Sequence, residues 1–401
     1  MKSIFASSTG KSFLIPFILV TSLFMMWGLA HGMLDVLNKH FQQAFQMSKA
    51  QSGLVQFSTY IAYALVGIPA GLFMKKFGYK RGILLGLFLY AVGAFGFIPA
   101  ALTQSFSPFL LALFVVACGL CTLETAANPY STVLGPKESA AQRINLSQSF
   151  NGLGLVLGPL IGGQLILGAP LDDMMALTKP YIILGSAVLV IAVFFIFTKL
   201  PDIKEENEVS SAEEALPQRS MWSYKHFILA AIAQFFYVAA QTGIFSFFIN
   251  YVTELDTTIT PLKASRFLAF GGMLLFMIGR LSGSFIMAKF KANKLLSIYS
   301  LMCCLMMILV MLELGKVSLY ALYTTFFFMS IMFPTIFALG LSGMGAYTKK
   351  ASSYIVMGVA GGAFAPMLMG YIGEQHMAVG FVVPLICFVY IAFFGLKGYK
   401  M

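Results

Sequence analysis

The sequence predicts an all-α membrane protein with 12 transmembrane helices, arranged as two pseudo-symmetric six-helix bundles. Three observations predict this class: 59% of the 401 residues are hydrophobic, only 10% are charged, and long unbroken apolar runs recur along the chain. Soluble domains carry about a quarter charged residues, and one helical span of the ~30 Å hydrocarbon core needs about 20 apolar residues. A β-barrel shows alternating segments of about ten residues instead, so helices are the better interpretation.

The apolar runs divide the chain into two sets of six spans. We place the spans at residues 13–37, 52–74, 82–101, 107–134, 144–167, 179–197, 227–251, 264–288, 294–312, 317–340, 352–372 and 378–396. The only long polar stretch follows the sixth span. We therefore predict an N-terminal bundle over 1–197, a cytoplasmic linker over 198–225 and a C-terminal bundle over 226–401.

Basic residues are unevenly distributed between the two sides of these spans. With the N-terminus inside, the inner segments hold 19 Lys and Arg residues and the outer loops hold 6. By the positive-inside rule, this excess predicts that both termini and the linker lie in the cytoplasm, in a bacterial inner membrane. The net charge of +11 follows from this topology, so we expect no nucleic-acid partner.

The residues that usually carry enzymatic or redox chemistry are absent or placed inside spans. The cysteines, all within predicted spans, are Cys118, Cys121, Cys303, Cys304 and Cys387. Buried thiols of this kind behave as small apolar side chains, so we expect no disulfide framework and no metal site. Neither a Walker A pattern nor a His-Glu-x-x-His or Gly-x-Ser-x-Gly motif occurs, so we expect neither an enzyme nor a cofactor.

The two halves resemble each other in the order of their motifs. Gly67 to Gly71 ends span two, and Gly279 to Gly283 lies 212 residues later in span eight. Pro159 in span five is matched by Pro366 in span eleven. These pairs indicate a duplicated six-span unit. Transporters built from parallel repeats hold their substrate near the bilayer midplane, between the repeats.

Glycines at four-residue spacing mark two of the spans. Span five carries Gly154, Gly158 and Gly162, and span eleven carries Gly358 and Gly362. This spacing lets the backbones of neighbouring helices approach closely. The sequence leaves open whether these glycines serve static packing or helices that move against each other.

Three charges lie inside predicted spans, where each costs roughly 2.5–3.5 kcal/mol to insert and usually marks function. Asp35 lies in the outer part of span one, and Glu124 lies in span four nearer its cytoplasmic half. Two acids at different depths of one half suit a proton relay, so we predict that both couple protons. The alternatives are an interfacial acid at a helix end for Asp35 and a structural hydrogen bond for Glu124. Arg280 in span eight is expected to reach towards the basic loop that follows it. The alternative is that it binds a sugar hydroxyl or a carboxylate.

Amides and aromatic rings near these acids suit a sugar. Amides pair with neighbouring hydroxyls, and an aromatic ring packs against the C–H face. The predicted substrate-binding residues are Asn151, Gln148, Gln241, Asn128, Trp27, His31 and Asn38. His31 lies one helical turn before Asp35 and is either a neutral hydrogen-bonding residue of the cavity or a participant in proton transfer. For each amide, the alternative is an interhelical hydrogen bond.

Several runs of the chain resemble the fucose permease family of the major facilitator superfamily. They are Trp27-Gly28 to Phe45 with Asp35 inside it, Leu123-Glu-Thr-Ala-Ala-Asn-Pro129, Val133-Leu-Gly-Pro136, Ala240-Gln241-Thr242 and Pro334 to Gly340. The resemblance covers nearly the whole chain. It implies the major facilitator fold and a transporter of fucose with protons, or of glucose and galactose.

By this resemblance, Asp35 and Glu124 match the proton-coupling acids of the family, and Asn151 matches a residue of its cavity. The chain departs from the family at residues 31–34, where an Asn-rich segment is replaced by His-Gly-Met-Leu, and at Asn38, which replaces a proline. Because these positions lie near the expected substrate, the departures leave the identity of the sugar open.

We therefore expect a secondary active transporter that carries a monosaccharide such as L-fucose together with a proton by alternating access. The alternatives are a glucose/galactose transporter, with Na⁺ as a second choice of coupling ion, and a passive sugar facilitator. The expected partners are the monosaccharide, the proton and the lipid bilayer, and we expect a monomer.

Overall fold

The structure is a computed structural model that describes residues 12–135, 140–198, 220–287, 290–344 and 347–401. Its α-helices are α1 (Leu14–Ala44), α2 (Lys49–Ser52), α3 (Leu54–Phe77), α4 (Tyr79–Phe95), α5 (Phe97–Thr103), α6 (Phe106–Val133), α7 (Ala140–Gly162), α8 (Thr178–Phe197), α9 (Lys225–Leu255), α10 (Pro261–Phe267), α11 (Leu274–Met287), α12 (Ala292–Met311), α13 (Lys316–Met329), α14 (Met332–Leu341), α15 (Thr348–Met357), α16 (Gly361–Ile372), α17 (Met377–Gly380) and α18 (Val382–Leu396). A π-helical turn over Gly163–Leu167 extends α7, and a second over Leu268–Met273 joins α10 to α11.

Twelve helical segments within the described residues are long and apolar enough to cross a membrane. This confirms the predicted all-α class and the predicted number of spans. Six spans, the second among them, each join two consecutive helices, because a glycine, a turn or a π-helical segment interrupts the regular hydrogen bonding. Of the predicted linker over 198–225, residues 199–219 lie outside the described part of the chain.

The first helix continues beyond the predicted end of its span. We expected the span to end at residue 37, but α1 continues to Ala44. The Asn38 side chain is fully buried, and its Oδ1 accepts a hydrogen bond from Nε2 of Gln42 at 2.7 Å, one turn further along the same helix. Asp35 therefore lies inside a continuous helix, more than two turns from its end.

The chain divides into two compact units. Unit 1 comprises Met1–Gln46 and Ser58–Glu205, and unit 2 comprises Met47–Phe57 and Glu206–Met401. Residues 47–57 thus pack with unit 2, although the chain on both sides of them belongs to unit 1.

In unit 1, α1 and α7 approach so closely that their backbones touch. A Cβ atom added to Gly158 would lie 2.7 Å from the Cα of Gly32, and one added to Gly154 would lie 2.5 Å from the carbonyl oxygen of Met25. A Cβ at Gly28 would overlap the carbonyl oxygen of Asn151. Only glycine lacks the atom that would separate the helices, so these residues form the seam that aligns α1 with α7.

Unit 2 contains an equivalent contact between α9 and the segment that joins α15 to α16. A Cβ at Gly358 would lie 2.9 Å from the backbone nitrogen of Phe235, and one at Gly361 would overlap the carbonyl oxygen of that residue. The pairs α1–α7 and α9–α16 contain the first and fifth spans of each predicted repeat. The same small-residue packing therefore recurs at matching positions of the two units.

Lys49 fastens residues 47–57 within unit 2. Its ammonium lies 2.7 Å from Oε1 of Glu254, and it also donates to the carbonyl oxygens of Gly373 at 2.7 Å and Glu374 at 3.0 Å. The Lys49 side chain is only 11% exposed, and that of Glu254 is 31% exposed. Exposed ion pairs contribute little, whereas this largely buried cation has three acceptors.

The start of α2 is capped by a hydroxyl and an acidic side chain. Ser48 forms a capping box with Gln51 at the start of α2. The Glu374 carboxylate accepts from the backbone N–H groups of Lys49 at 3.2 Å and Ala50 at 3.4 Å, the first two of that helix. These N–H groups have no partner inside a helix and attract negative charge. Residues 47–57 are thus held by both backbone and side-chain contacts.

We predict that Gly158→Ala destabilises the protein by about 1–3 kcal/mol, because the added methyl group would force α7 away from α1. Gly71→Ala is the matched control, since no atom lies within 4 Å of the Cβ it would add on α3. Thermal unfolding in detergent, followed by tryptophan fluorescence, measures both variants. Equal unfolding temperatures for the two variants would contradict the close α1–α7 contact.

We predict that Lys49→Met lowers stability by about 1–3 kcal/mol, because it removes the ammonium from the partly buried Glu254 carboxylate and from the carbonyls of Gly373 and Glu374. Lys179→Met is the control: its side chain is 57% exposed and its ammonium lies 3.7 Å from Asp173, so its loss costs at most about 1 kcal/mol. Hydrogen exchange of residues 47–57 should rise in the first variant only. Unchanged exchange there would show that Lys49 does not fasten this segment.

Candidate functional site

The seam between α1 and α7 positions the polar side chains that face each other across it in unit 1. Nδ2 of Asn151 donates to the carbonyl oxygen of Phe24 at 3.4 Å, and the hydroxyl oxygens of Thr21 and Ser147 lie 3.2 Å apart. Asn151 is buried. Asn151 thus makes an interhelical hydrogen bond, which was the alternative to sugar binding in the sequence analysis. This hydrogen bond places the amide next to the turn of α1 that carries Trp27.

Trp27 and His31 form a stacked pair on one face of α1. Their ring centroids lie 3.9 Å apart with an interplanar angle of 23°, and Nδ1 of His31 lies 3.1 Å from the carbonyl oxygen of Trp27. A carbonyl oxygen only accepts hydrogen bonds, so Nδ1 carries a proton. In the neutral imidazole, Nε2 is then an acceptor. The pair offers a flat apolar surface beside a hydrogen-bonding nitrogen.

Two tyrosines of α3 contact this pair. The rings of Tyr60 and Tyr63 meet His31 edge-on, with centroids 6.3 and 6.0 Å away and interplanar angles of 72°. Nε1 of Trp27 donates to the hydroxyl of Tyr63 at 2.6 Å. Trp27 is thereby fixed by a hydrogen bond from one helix to another, and its orientation does not depend on stacking alone.

Glu124 on α6 completes the cluster. Its polar neighbours are the indole of Trp27, whose N–H is donated to Tyr63, and the hydroxyl of Tyr63. Neither group is a cation. A carboxylate with a cationic partner is held in its charged form, whereas neutral neighbours bring no compensating charge. We call these five residues, Trp27, His31, Tyr60, Tyr63 and Glu124, the aromatic–acid cluster.

The other predicted site residues lie at several places in the two units. Asp35 is 4% exposed and lies one turn beyond His31 on α1. Asn128 lies one turn beyond Glu124 on α6, and no described atom is bonded to its buried Oδ1. Gln148 is half-buried on α7, and Gln241 is half-buried on α9 of unit 2. Apart from Gln241, every predicted site residue belongs to unit 1.

Tyr60 and Tyr63 were missed in the sequence. The second span reads as an ordinary apolar helix, and tyrosines near the middle of a span are usually packing residues. The spacing of the two tyrosines was the available signal. Residues three apart lie on one face of a helix. Two hydroxyl groups on one face of an apolar span need hydrogen-bonding partners, and this need could have indicated a polar cluster.

Arg280 in unit 2 does not point towards the basic loop, so that prediction was wrong. Its guanidinium lies 4.8 Å from the ring centroid of Phe276, one turn nearer the start of α11. Side chains on a helix lean towards its N-terminus, and a guanidinium is attracted to an aromatic face. Tyr237 of α9 is its electrostatic neighbour.

Comparison with known proteins gives a full-length family assignment. A sequence profile of the Major Facilitator Superfamily matches residues 5–366. The chain is 38% identical to the L-fucose-proton symporter of Escherichia coli strain K12 over 410 residues, which cover 96% of this chain and 93% of the symporter. It is 37% identical to the glucose/galactose transporter of Brucella abortus biovar 1 over 407 residues, which cover 98% of this chain and 96% of that transporter.

Solved structures agree with this assignment. The crystal structure of a Major Facilitator Superfamily transporter, FucP, in the outward conformation is 37% identical in sequence and has a TM-score of 0.70. The match covers 96% of this chain and 99% of that chain. A D-xylose-proton symporter of only 13% identity has a TM-score of 0.79 over 96% of this chain, which shows a shared fold alone.

Proposed function

The chain belongs to the Major Facilitator Superfamily and is a membrane transporter, and from that premise we propose that it carries a monosaccharide together with a proton by alternating access. The family assignment confirms the predicted fold and the resemblance to fucose permeases. Glu124 carries the mechanistic part of the proposal, because it is an acid within a membrane span whose polar neighbours, Trp27 and Tyr63, are neutral.

A coupling acid must bind a proton from one side of the membrane and lose it to the other. A permanent ion pair would oppose protonation, and an entirely apolar pocket would oppose ionisation. The polar neighbours of Glu124, Trp27 and Tyr63, bring no compensating charge. We therefore assign Glu124 to proton binding and Asp35, the second acid within a membrane span of unit 1, to the same relay.

The substrate is a neutral monosaccharide of the L-fucose type. Relatives with similar coverage are named as an L-fucose-proton symporter and as glucose/galactose transporters. The stacked rings of Trp27 and His31 suit the C–H face of a pyranose. Asn151, Gln148 and Asn128 of unit 1 supply amides for hydroxyl groups, and Asn38 and Gln241 stay candidates from the sequence. A glucose or galactose substrate is the second candidate, because the identities of 38% and 37% do not separate the two groups.

In the proposed cycle, substrate and proton bind to one open state, the two units exchange which side of the membrane has access, and both leave on the other side. A ligand favours this exchange only by binding one state better than the other. We place the protein in a bacterial inner membrane as a monomer with both termini in the cytoplasm, following the excess of Lys and Arg on that side. No cofactor takes part, and the coupling ion is H⁺, with Na⁺ as the alternative.

We predict that Glu124→Gln abolishes sugar-driven proton uptake in proteoliposomes, because glutamine has nearly the same shape but cannot bind a proton in this range. Proton uptake is measured with an entrapped pH dye after addition of sugar. Proton uptake that persists in this variant would falsify the assignment of Glu124. Uphill sugar accumulation driven by a Na⁺ gradient at uniform pH would show that the coupling ion is Na⁺ and not H⁺.

We predict that Asp35→Asn loses uphill accumulation but retains sugar counterflow, which needs no net proton movement. This separates proton coupling from sugar binding. Loss of counterflow with retained folding would show that the Asp35 carboxylate binds the sugar itself. Wild-type accumulation in this variant would remove Asp35 from the relay.

We predict that labelled L-fucose is accumulated faster than D-glucose, D-galactose or D-xylose by the wild-type protein in proteoliposomes with an imposed proton gradient. A preference for D-glucose or D-galactose would favour the second candidate. Equilibration without accumulation, for every sugar of this panel, would indicate a passive facilitator.

A further inference from the structure

Two contacts hold the indole of Trp27, and they restrict different motions. Stacking on His31, with ring centroids 3.9 Å apart, restricts the plane of the indole. The torsion about the Cβ–Cγ bond of an aromatic side chain is roughly two-fold, so an indole that is turned over could still lie in that plane. Its N–H would then lie at the other edge of the ring. Stacking alone therefore leaves two orientations of the indole.

The hydroxyl of Tyr63 selects one of these two orientations. Nε1 of Trp27 donates to this hydroxyl at 2.6 Å, and an indole has no other polar atom. In the turned-over ring, the N–H would leave the Tyr63 oxygen and the bond would be lost. The hydrogen bond thus fixes the direction of the indole, whereas the stacked imidazole of His31 fixes its plane.

Tyr63 is itself held by neighbouring helices of unit 1. Its ring meets His31 of α1 edge-on, with centroids 6.0 Å apart, and lies 6.4 Å from the ring of Tyr60 on its own helix. Its backbone carbonyl oxygen lies 4.0 Å from Sγ of Cys121 on α6. A hydroxyl on a packed helix is a suitable support for a binding residue, because it keeps that residue in place before the ligand arrives.

The indole of Trp27 is only half-buried, and so is the Tyr63 side chain. Within the part of the chain that the structure describes, no second aromatic ring stacks on the indole. Part of the indole surface is thus accessible to a ligand. Because the N–H is already bonded to Tyr63, this surface presents ring carbons and not a hydrogen-bond donor, which suits the C–H face of a pyranose.

We propose that Tyr63 is a positioning residue for Trp27: its hydroxyl holds the indole in the one orientation that binds the sugar, and thereby sets the affinity for the sugar. This inference rests on the proposed function, in which Trp27 packs against a monosaccharide. A side chain that is already ordered spends no free energy on ordering when the ligand binds. Loss of the Tyr63 hydroxyl therefore weakens sugar binding, whereas the steps that follow saturation with sugar keep their rate.

The fluorescence of Trp27 tests the positioning directly. The chain contains two tryptophans, and Trp222→Phe, at a 53% exposed position of unit 2, leaves Trp27 as the only one. In this background, Tyr63→Phe should increase the fast component of the time-resolved fluorescence anisotropy, because the indole is no longer held at its N–H. Tyr90→Phe is the matched control, since it also deletes a hydroxyl that bonds to α1, at the carbonyl of Met26 at 3.2 Å. An equal anisotropy decay in the two variants would overturn the inference.

Equilibrium counterflow in proteoliposomes tests the consequence for transport, with labelled L-fucose and, in parallel, labelled D-galactose and D-glucose. At one fixed pH, Tyr63→Phe should raise the half-saturation concentration by about two- to tenfold, which is the range that one hydrogen bond of ordinary strength supports. The maximal rate should stay close to that of the wild-type protein, and Tyr90→Phe should change neither quantity. A merely structural role of Tyr63 would instead lower the maximal rate at an unchanged half-saturation concentration.

The same substitution in a Trp27→Phe background identifies the residue through which Tyr63 acts. Phenylalanine keeps an aromatic face but has no N–H, so the added Tyr63→Phe should raise the half-saturation concentration no further. A further rise of the same size would overturn the inference, as would a wild-type half-saturation concentration in Tyr63→Phe alone. Wild-type protein that exchanges none of the three sugars would instead reject the proposed function, and the anisotropy decay would still decide whether Tyr63 orients Trp27.

Discussion

The backbones of α1 and α7 touch because Gly28 and Gly32 face Gly154 and Gly158. This close approach brings Asn151 within hydrogen-bonding distance of the carbonyl of Phe24, and it fixes the turn of α1 from which Trp27 and His31 project. The stacking of these two rings, their contacts with α3 and the indole next to Glu124 all depend on that turn. The glycines thus determine where the polar cluster forms, although none of them takes part in its chemistry.

Glu124 is a half-buried acid within a membrane span, and its polar neighbours are neutral. A carboxyl group in an apolar medium without donors stays protonated, and one beside a guanidinium stays ionised. The described neighbours, an indole and a phenol, leave the acid between these extremes. Because Trp27 also serves as the proposed surface for the sugar, substrate and proton share a neighbour. A change in the orientation of the Trp27 ring would then affect both sugar binding and proton binding. This shared neighbour is a direct way to couple the two binding events.

Much of the fold could be predicted from the sequence because lipid permits so few backbone arrangements. The 12 spans, the two acids within them and the glycine spacing of span five are all visible in the order of residues. The extent of α1 was not, since Asn38 and Gln42 bond to each other inside the helix, a contact that the order of residues does not reveal. Tyr60 and Tyr63 were also missed, since a tyrosine reveals its role only through the partner that three-dimensional packing brings to it. The role of Asp35 and the grouping of the amides around a sugar remain predictions.

The membership of residues 47–57 in unit 2 has a consequence for how the protein could be divided. The two halves of the polypeptide are not the two units: a fragment that begins after the linker lacks Lys49, the cation held by Glu254, and the N–H groups capped by Glu374. A cut at the linker would therefore separate residues 47–57 from the unit in which they pack.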